Sequence, residues 1–250
     1  MKRKVFVSIL IFMIIGIFGY SRPKYYISIG YGSWSLNLLR GVIEEKMDDV
    51  LRENLQDNFK EDYPNEVLGD YTQDVNFDSS GGGVNFQIRI FPGGEKGSFS
   101  LGFSYFRVDS KIMISGDIRQ NFISDDYISA NAEGNLIINY SAFVIDMRWD
   151  LFPQGKIHPY ISLGGGISPL KGSMDYSADG GLYSNDHRKE GYTISESKDL
   201  TEVEDINFSH IPVILINLGI RVDVIKNGSF FLDGGIWNGF MIKGGIAYSF

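Results

Sequence analysis

Phe240-Met-Ile-Lys-Gly-Gly-Ile-Ala-Tyr-Ser-Phe250 decides the fold. Phe240, Ile242, Ile246, Tyr248 and Phe250 share one parity, and Lys243, Gly245, Ala247 and Ser249 share the other. Side chains alternate along a strand with a period of two, so this is a strand with one greasy face and one polar or small face.

The same alternation recurs upstream. Tyr25, Ile27, Ile29 and Tyr31 oppose Ser28, Gly30 and Gly32; Val84, Phe86, Ile88 and Ile90 oppose Asn85, Gln87 and Arg89. Phe99, Leu101, Phe103 and Tyr105 face away from Ser100, Gly102 and Ser104, and Phe143, Ile145, Met147, Trp149 and Leu151 from Asp146, Arg148 and Asp150. Ile157, Ile161, Leu163 and Ile167 oppose Ser162, Gly164 and Gly166. Ile214, Ile216, Leu218, Ile220 and Val222 oppose Asn217, Gly219, Arg221 and Asp223, and Phe230, Leu232 and Ile236 oppose Asp233. With the final segment these make eight strands, and the pattern predicts an all-β fold: an eight-stranded antiparallel transmembrane up-and-down β-barrel, greasy face to lipid and polar face to the lumen.

Short and long connections alternate. Pro92-Gly-Gly-Glu-Lys96, Pro153-Gln-Gly155 and Lys226-Asn-Gly228 are compact turns rich in turn-forming residues. Long polar segments lie between them, roughly 34–83, 116–131 and 169–205. Barrels of this class keep short turns in the periplasm and long loops outside. The fourth outer connection, Trp237-Asn238-Gly239, is instead a tight hairpin of the Asn-Gly type. The first outer segment predicts a helical insertion at about 36–62, with Leu39, Ile43, Met47, Val50, Leu51 and Leu55 at steps of three and four and Pro64 beyond its end. Its polar side carries eight acids and four bases between Leu36 and Asp62. A membrane-surface helix is normally basic there, so the stripe is read as packing on the barrel mouth or other loops, with a partner-binding helix as the sharper alternative.

Residues 1–21 read as a signal peptide. Lys2-Arg3-Lys4 precedes the apolar Val5 to Phe18, and small residues follow at Gly19 and Ser21. The alternative, an uncleaved anchor, needs a stretch nearer ~20 residues. The remaining domain is the barrel, 22–250. With no cysteine, disulfides contribute nothing. The net charge of −8 becomes −11 once Lys2-Arg3-Lys4 is removed, which argues against nucleic acid as a partner, since phosphates demand a basic surface.

The constellation with physical consequence is a set of inward charges: Arg89, Arg148, Arg221 and Lys243 with Asp146, Asp150, Asp223 and Asp233. Inverting the strands would set the cations against lipid at up to ~2–4 kcal/mol each near the midplane. An interior ion-pair network follows; the alternative is charges lining a wet lumen without mutual pairing.

Candidate chemistry is sparse. His158, His187 and His210 lack metal-site spacing. His187 and His210 would need Asp186 or Asp205 at the outer rim to make a hydrolytic cluster, and solvated or rim histidines are the simpler reading. Gly81-Gly-Gly83 and Gly164-Gly-Gly166 open no helix and make no phosphate cradle. The sequence therefore predicts no catalytic residue, metal or cofactor.

Over roughly Tyr25 to Phe250 the chain resembles the outer-membrane β-barrel domain family, the eight-stranded barrels similar to the membrane domain of outer-membrane protein A and to the X and W types. Lys243, Gly245, Tyr248 and Phe250 match the family's polar-x-Gly-x-x-aromatic-x-aromatic insertion signal, and His158-Pro-Tyr-Ile-Ser-Leu-Gly-Gly-Gly166 resembles its Pro-Tyr-x-x-x-Gly-x-Gly strand. The resemblance implies an outer-membrane location, contact with lipid and the barrel-assembly machinery, and an envelope, adhesion or conduit role. The long first loop and minimal fourth loop depart from the family, so its loop functions are not carried over. Three readings follow: a non-enzymatic structural or interaction protein meeting an extracellular protein or surface ligand, with a lumen sealed by ion pairs; a small-solute channel; and an outer-membrane hydrolase.

Overall fold

The structure, a computed structural model, describes residues 23–49, 52, 67–94, 97–124, 126–169, 171–200 and 210–250. The expected signal peptide, together with Val50, Leu51 and Leu55 of the helical stripe, lies outside the described residues.

Ten antiparallel strands form one sheet among the described residues: β1 (Lys24–Ser35), β2 (Leu68–Phe91), β3 (Phe99–Phe122), β4 (Tyr127–Asp150), β5 (Ile157–Pro169), β6 (Gly172–Ser184), β7 (His187–Asp199), β8 (His210–Ile225), β9 (Gly228–Trp237) and β10 (Phe240–Ser249). Eight of them close a ring in the order β1-β2-β3-β4-β5-β8-β9-β10, with β10 paired back onto β1. Closure leaves this part of the sheet without an edge.

The ring is held in register by its greasy parity. Ile29 sits opposite Ile246 on β10 and Phe86 on β2, Phe103 opposite Ile145, and Ile161 opposite Leu218. Ile29, Phe103, Ile145, Leu218 and Ile246 are half to two-thirds exposed on the outer wall, whereas Ser28, Asn85, Ser104, Asp146, Ser162 and Asn217 on the other parity are buried inside. A slip of one residue would exchange these faces, so the pattern specifies the pairing.

The sequence reading needs correction at the far end from the short turns. Among the described residues, the segments expected as long loops are largely strand: β2, β3 and β4 each run 24 residues and pass beyond the ring. β6 and β7 form a further hairpin, with β6 pairing on the part of β4 before the stretch that pairs with β5. The result is a protruding five-stranded sheet, β2-β3-β4-β6-β7, above the ring. Asn185 and Asp186, both at positive φ (47° and 61°), make the two-residue β6–β7 turn, a conformation that Asn and Asp tolerate better than most residues.

The protruding sheet is amphipathic. One row across it reads Val75, Gly116, Ala132, Ala178, Ile194, while the row beside it on the opposite face reads Asp74, Asp117, Asn131, Asp179, Thr193. The apolar face is continuous with the ring interior, because Ile114, Leu136 and Met174 pack on the buried cluster at the ring mouth.

A 3-10 turn, Asn37–Leu39, leads from β1 into helix α1, residues 40–49. Ile43 packs against the mouth cluster and Met47 is half-buried, but Leu39 is 52% exposed. Leu39 belongs to the tighter 3-10 turn, whose three residues per turn break the phase of the α-helical stripe. α1 is anchored through Glu44, which accepts hydrogen bonds from the Phe77 N–H (2.9 Å) and Arg40 Nε (2.8 Å). These bonds hold the Glu44 carboxyl below the usual carboxylate range, the Phe77 N–H contributing most.

Candidate functional site in the barrel interior

The lumen is filled in two layers. The first, toward the short turns, contains the inward charges. Arg89 on β2 pairs with Asp146 on β4 and donates from Nη1 to Ser100 Oγ at 3.0 Å; Gln87 Nε2 donates to Asp146 Oδ1 at 3.0 Å. Arg148 Nε donates to Asp150 Oδ1 at 2.5 Å. Arg221 Nη1 lies 3.4 Å from Asp150 Oδ2 and Arg221 Nε 3.3 Å from Asp223 Oδ1, but neither contact has hydrogen-bond alignment. Arg221 is thus held by charge proximity. Tyr160 OH donates to Asp233 Oδ2 at 2.8 Å, and Lys243 Nζ is 3.7 Å from the same oxygen.

Seven of the eight expected charged residues are buried, and Asp223 is the partly exposed member, its side chain 35% accessible. The arrangement also recruits residues that the sequence reading left out. His158, only 2% exposed, is 2.9 Å from Asp223 through Nε2, so it is neither solvated nor at the outer rim. Aromatic faces complete the layer: the Arg148 guanidinium lies 3.5 Å from the Tyr160 ring centroid, Arg221 4.8 Å from that of Tyr26, and Lys243 Nζ 4.8 Å from that of Phe106. Stacked cations in a desolvated site gain from the ring quadrupole as well as from carboxylates. His158 and Tyr160 share the inward parity of Ser162, so strand parity was the signal that could have found them.

The second layer is apolar and lies toward the ring mouth. Trp34, Phe106, Val108, Tyr140, Ala142, Val144, Val213, Leu215, Trp237 and Met241 are 0–6% exposed. Phe106 and Trp237 have ring centroids 5.3 Å apart, Tyr140 and Trp237 5.5 Å, and Trp34 and Tyr140 6.3 Å. Gly239 makes the cap compact: its φ is +150°, and a Cβ there would meet Trp34 Cε2 at 2.6 Å. Asn238 latches the hairpin to β8, accepting from the Ile214 N–H at 3.2 Å and donating to the Pro212 carbonyl at 2.7 Å.

Free space in the charged layer is small. The cavity among Arg89, Asp146, Arg148, Tyr160, Asp233 and Lys243 is about 30 Å³, room for a water molecule but not a solute. A larger recess of about 340 Å³ opens at the short-turn end, bordered by Lys24, Asp150, His158, Arg221, Asp223 and Lys226. Phe231, on the inward parity of β9, occupies space left by two glycines: a Cβ on Gly30 or Gly245 would come within 2.9 or 2.8 Å of its ring. Gly245, expected as part of the insertion signal, therefore also admits an aromatic ring to the lumen. Tyr248 and Phe250 face outward, and Phe250 stacks on Tyr25 with centroids 5.9 Å apart.

His187 opens β7 at the tip of the protruding sheet, whereas His210 opens β8 beside Pro169 at the other end of that sheet, so the register does not bring them together. Asp186 receives a hydrogen bond from Tyr127 OH at 3.2 Å, and Asp205 lies outside the described residues. Among the described residues no group of three or more His, Asp or Glu is placed to hold a metal ion.

No protein-family model matches the chain, and no curated protein matches it. Among solved structures, the chain is similar to the translocator domain of the autotransporter NalP from Neisseria meningitidis, at 11% identity and a TM-score of 0.29, covering 100% of this chain and 96% of that one. It is also similar to the outer membrane protein OprG from Pseudomonas aeruginosa, at 8% identity and a TM-score of 0.27, covering 93% of this chain and 98% of that one. Superpositions this loose transfer neither topology nor function, so the barrel assignment rests on the strand pairing described above.

Proposed function

We propose that the chain is a closed outer-membrane β-barrel without catalytic activity, serving a structural or interaction role through its protruding sheet. The observation that carries this reading is the filled lumen, a charged layer backed by an aromatic cap. An eight-stranded ring has an interior just wide enough for side chains. Support for the membrane comes from the outer wall, where the encircling apolar belt far exceeds the patches that monomeric soluble proteins tolerate. The ring also satisfies its backbone polar groups internally, as a lipid environment requires.

In this orientation the short turns face the periplasm and the protruding sheet faces outside. Lipid and the barrel-assembly machinery are then its partners in the envelope, with β10 carrying the insertion pattern. The exterior partner, a protein or surface ligand, meets a sheet rather than the loops expected from sequence. Membrane fractionation of cells expressing the full chain, together with circular dichroism of the purified protein, tests this: the reading expects a heat-modifiable β-rich protein in the outer membrane. Recovery in the inner membrane or soluble fraction would contradict it, and a steady ionic conductance would favour the small-solute channel.

A further inference from the structure

We infer that β7 is a self-association edge: two copies of this chain join antiparallel through it, with Ile194 facing Ile194 at the two-fold axis. β7 ends the sheet and pairs on one side with β6. All thirteen of its residues are exposed, and no described strand pairs with its other side. The opposite boundary of the protruding sheet is treated differently. There α1 and the turn before it supply acceptors to β2: Glu44 takes the Phe77 N–H at 2.9 Å and Asn37 Oδ1 the Ser79 N–H at 2.8 Å. A long open edge is a template for another strand.

The charges on β7 identify the occupant. Lysines on an edge normally discourage pairing, but here the signs complement one another on reversal. In a two-fold antiparallel pair, opposing residues lie on the same face. Centring the pair on Ile194 sets Glu190 opposite Lys198 of the second copy, twice by symmetry, and brings Lys189 level with Asp199. Centring on Thr193 instead opposes Arg188 to Lys198 and Glu190 to Glu196, juxtaposing like charges. Centring on Tyr192 opposes Arg188 to Glu196 but sets Glu190 against Ile194 at both ends, placing a carboxylate on the apolar residue. The Ile194 register also extends the apolar row Val75, Gly116, Ala132, Ala178, Ile194 into the second copy, making a ten-stranded sheet in which that row runs unbroken across the two-fold axis.

An antiparallel join points the two barrels in opposite directions. If both are membrane-embedded, the pair bridges two facing surfaces; that consequence rests on the proposed outer-membrane location, whereas the pairing itself does not.

The chain has no cysteine, so single cysteines report the register cleanly. With full-length protein in detergent under mild oxidation, Ile194→Cys is expected to form a disulfide dimer at least tenfold faster than Glu190→Cys. Lys198→Glu in the Ile194→Cys background should cut that yield about tenfold, because two opposite-charge contacts become like-charge ones. Adding Glu190→Lys should restore it. All these side chains are exposed, and heat-dependent gel mobility verifies that each variant retains its barrel. Equal cross-linking at positions 190 and 194, or failure of the double charge reversal to restore the yield, would overturn the pairing. Vesicles carrying the parent protein should cluster and those carrying Lys198→Glu should not; cross-linking in detergent without clustering would refute the bridging and leave the pairing standing.

Discussion

Trp34 Nε1 donates to the Trp237 carbonyl oxygen at 3.2 Å, reaching from β1 to β9 across the intervening β10. Both indoles are 1% exposed, and the bond joins the end of β1 to the tight β9–β10 hairpin. Trp34→Ala removes the bond and leaves an indole-sized void, with an expected loss of about 3–5 kcal/mol. Trp34→Phe should lose less. Urea titration of the folded, heat-modifiable band is the check, and equal losses for the two variants would contradict the cap.

Arg89 and Asp146 form the cleanest ion pair in the lumen, because Asp150 is shared between Arg148 and Arg221. Arg89→Ala strands a buried carboxylate and should cost about 3–5 kcal/mol, whereas Arg89→Met with Asp146→Leu should recover part of that loss. A double-mutant cycle in the same titration measures the coupling. Additive losses would mean that the two charges do not stabilise one another.

Glu44 predicts a pH response at the mouth. Its folded-state pKa is depressed by the Phe77 N–H and Arg40, so its contribution to docking α1 is present above the ordinary carboxylate value of 4.5 and lost as pH falls through the depressed one. A spin label placed by Val42→Cys, on the exposed side of α1, should gain mobility below that pH. With Glu44→Gln the label should be mobile at neutral pH as well.

At the seam, Phe250 exchanges backbone hydrogen bonds with Tyr25, each 3.0 Å long, and stacks on its ring. Deleting Phe250 removes the backbone bonds and the ring, whereas Phe250→Tyr keeps both. Assembly into the heat-modifiable form should therefore fall more on deletion; an equal fall would place the effect elsewhere.

The outer wall was legible because its period-two signal is strong: Ile214, Ile216, Leu218 and Ile220 alternate with Asn217, Gly219 and Arg221. The inward charges were legible for the same reason. The protruding sheet was not, since water wets its outer face and its inner face relies on residues as small as Ala132, Ala178 and Gly180. Asp175-Tyr-Ser-Ala-Asp-Gly180 therefore reads as loop, although it alternates faithfully. The aromatic cap was hidden differently. The clean alternation of the third strand ends at Tyr105, one residue before its inward parity changes from Ser100, Gly102 and Ser104 to Phe106 and Val108. Where both faces are apolar, as at Ala142-Phe-Val144, periodicity no longer distinguishes inside from outside.

Single-channel recording of the full chain in a planar lipid bilayer tests the sealed lumen most directly. The charged layer and the aromatic cap predict conductance at background for the parent and for Trp34→Ala alike, because the charged layer still closes the lumen when the cap is opened. A steady, large conductance in the parent would contradict the sealed barrel and establish a channel instead.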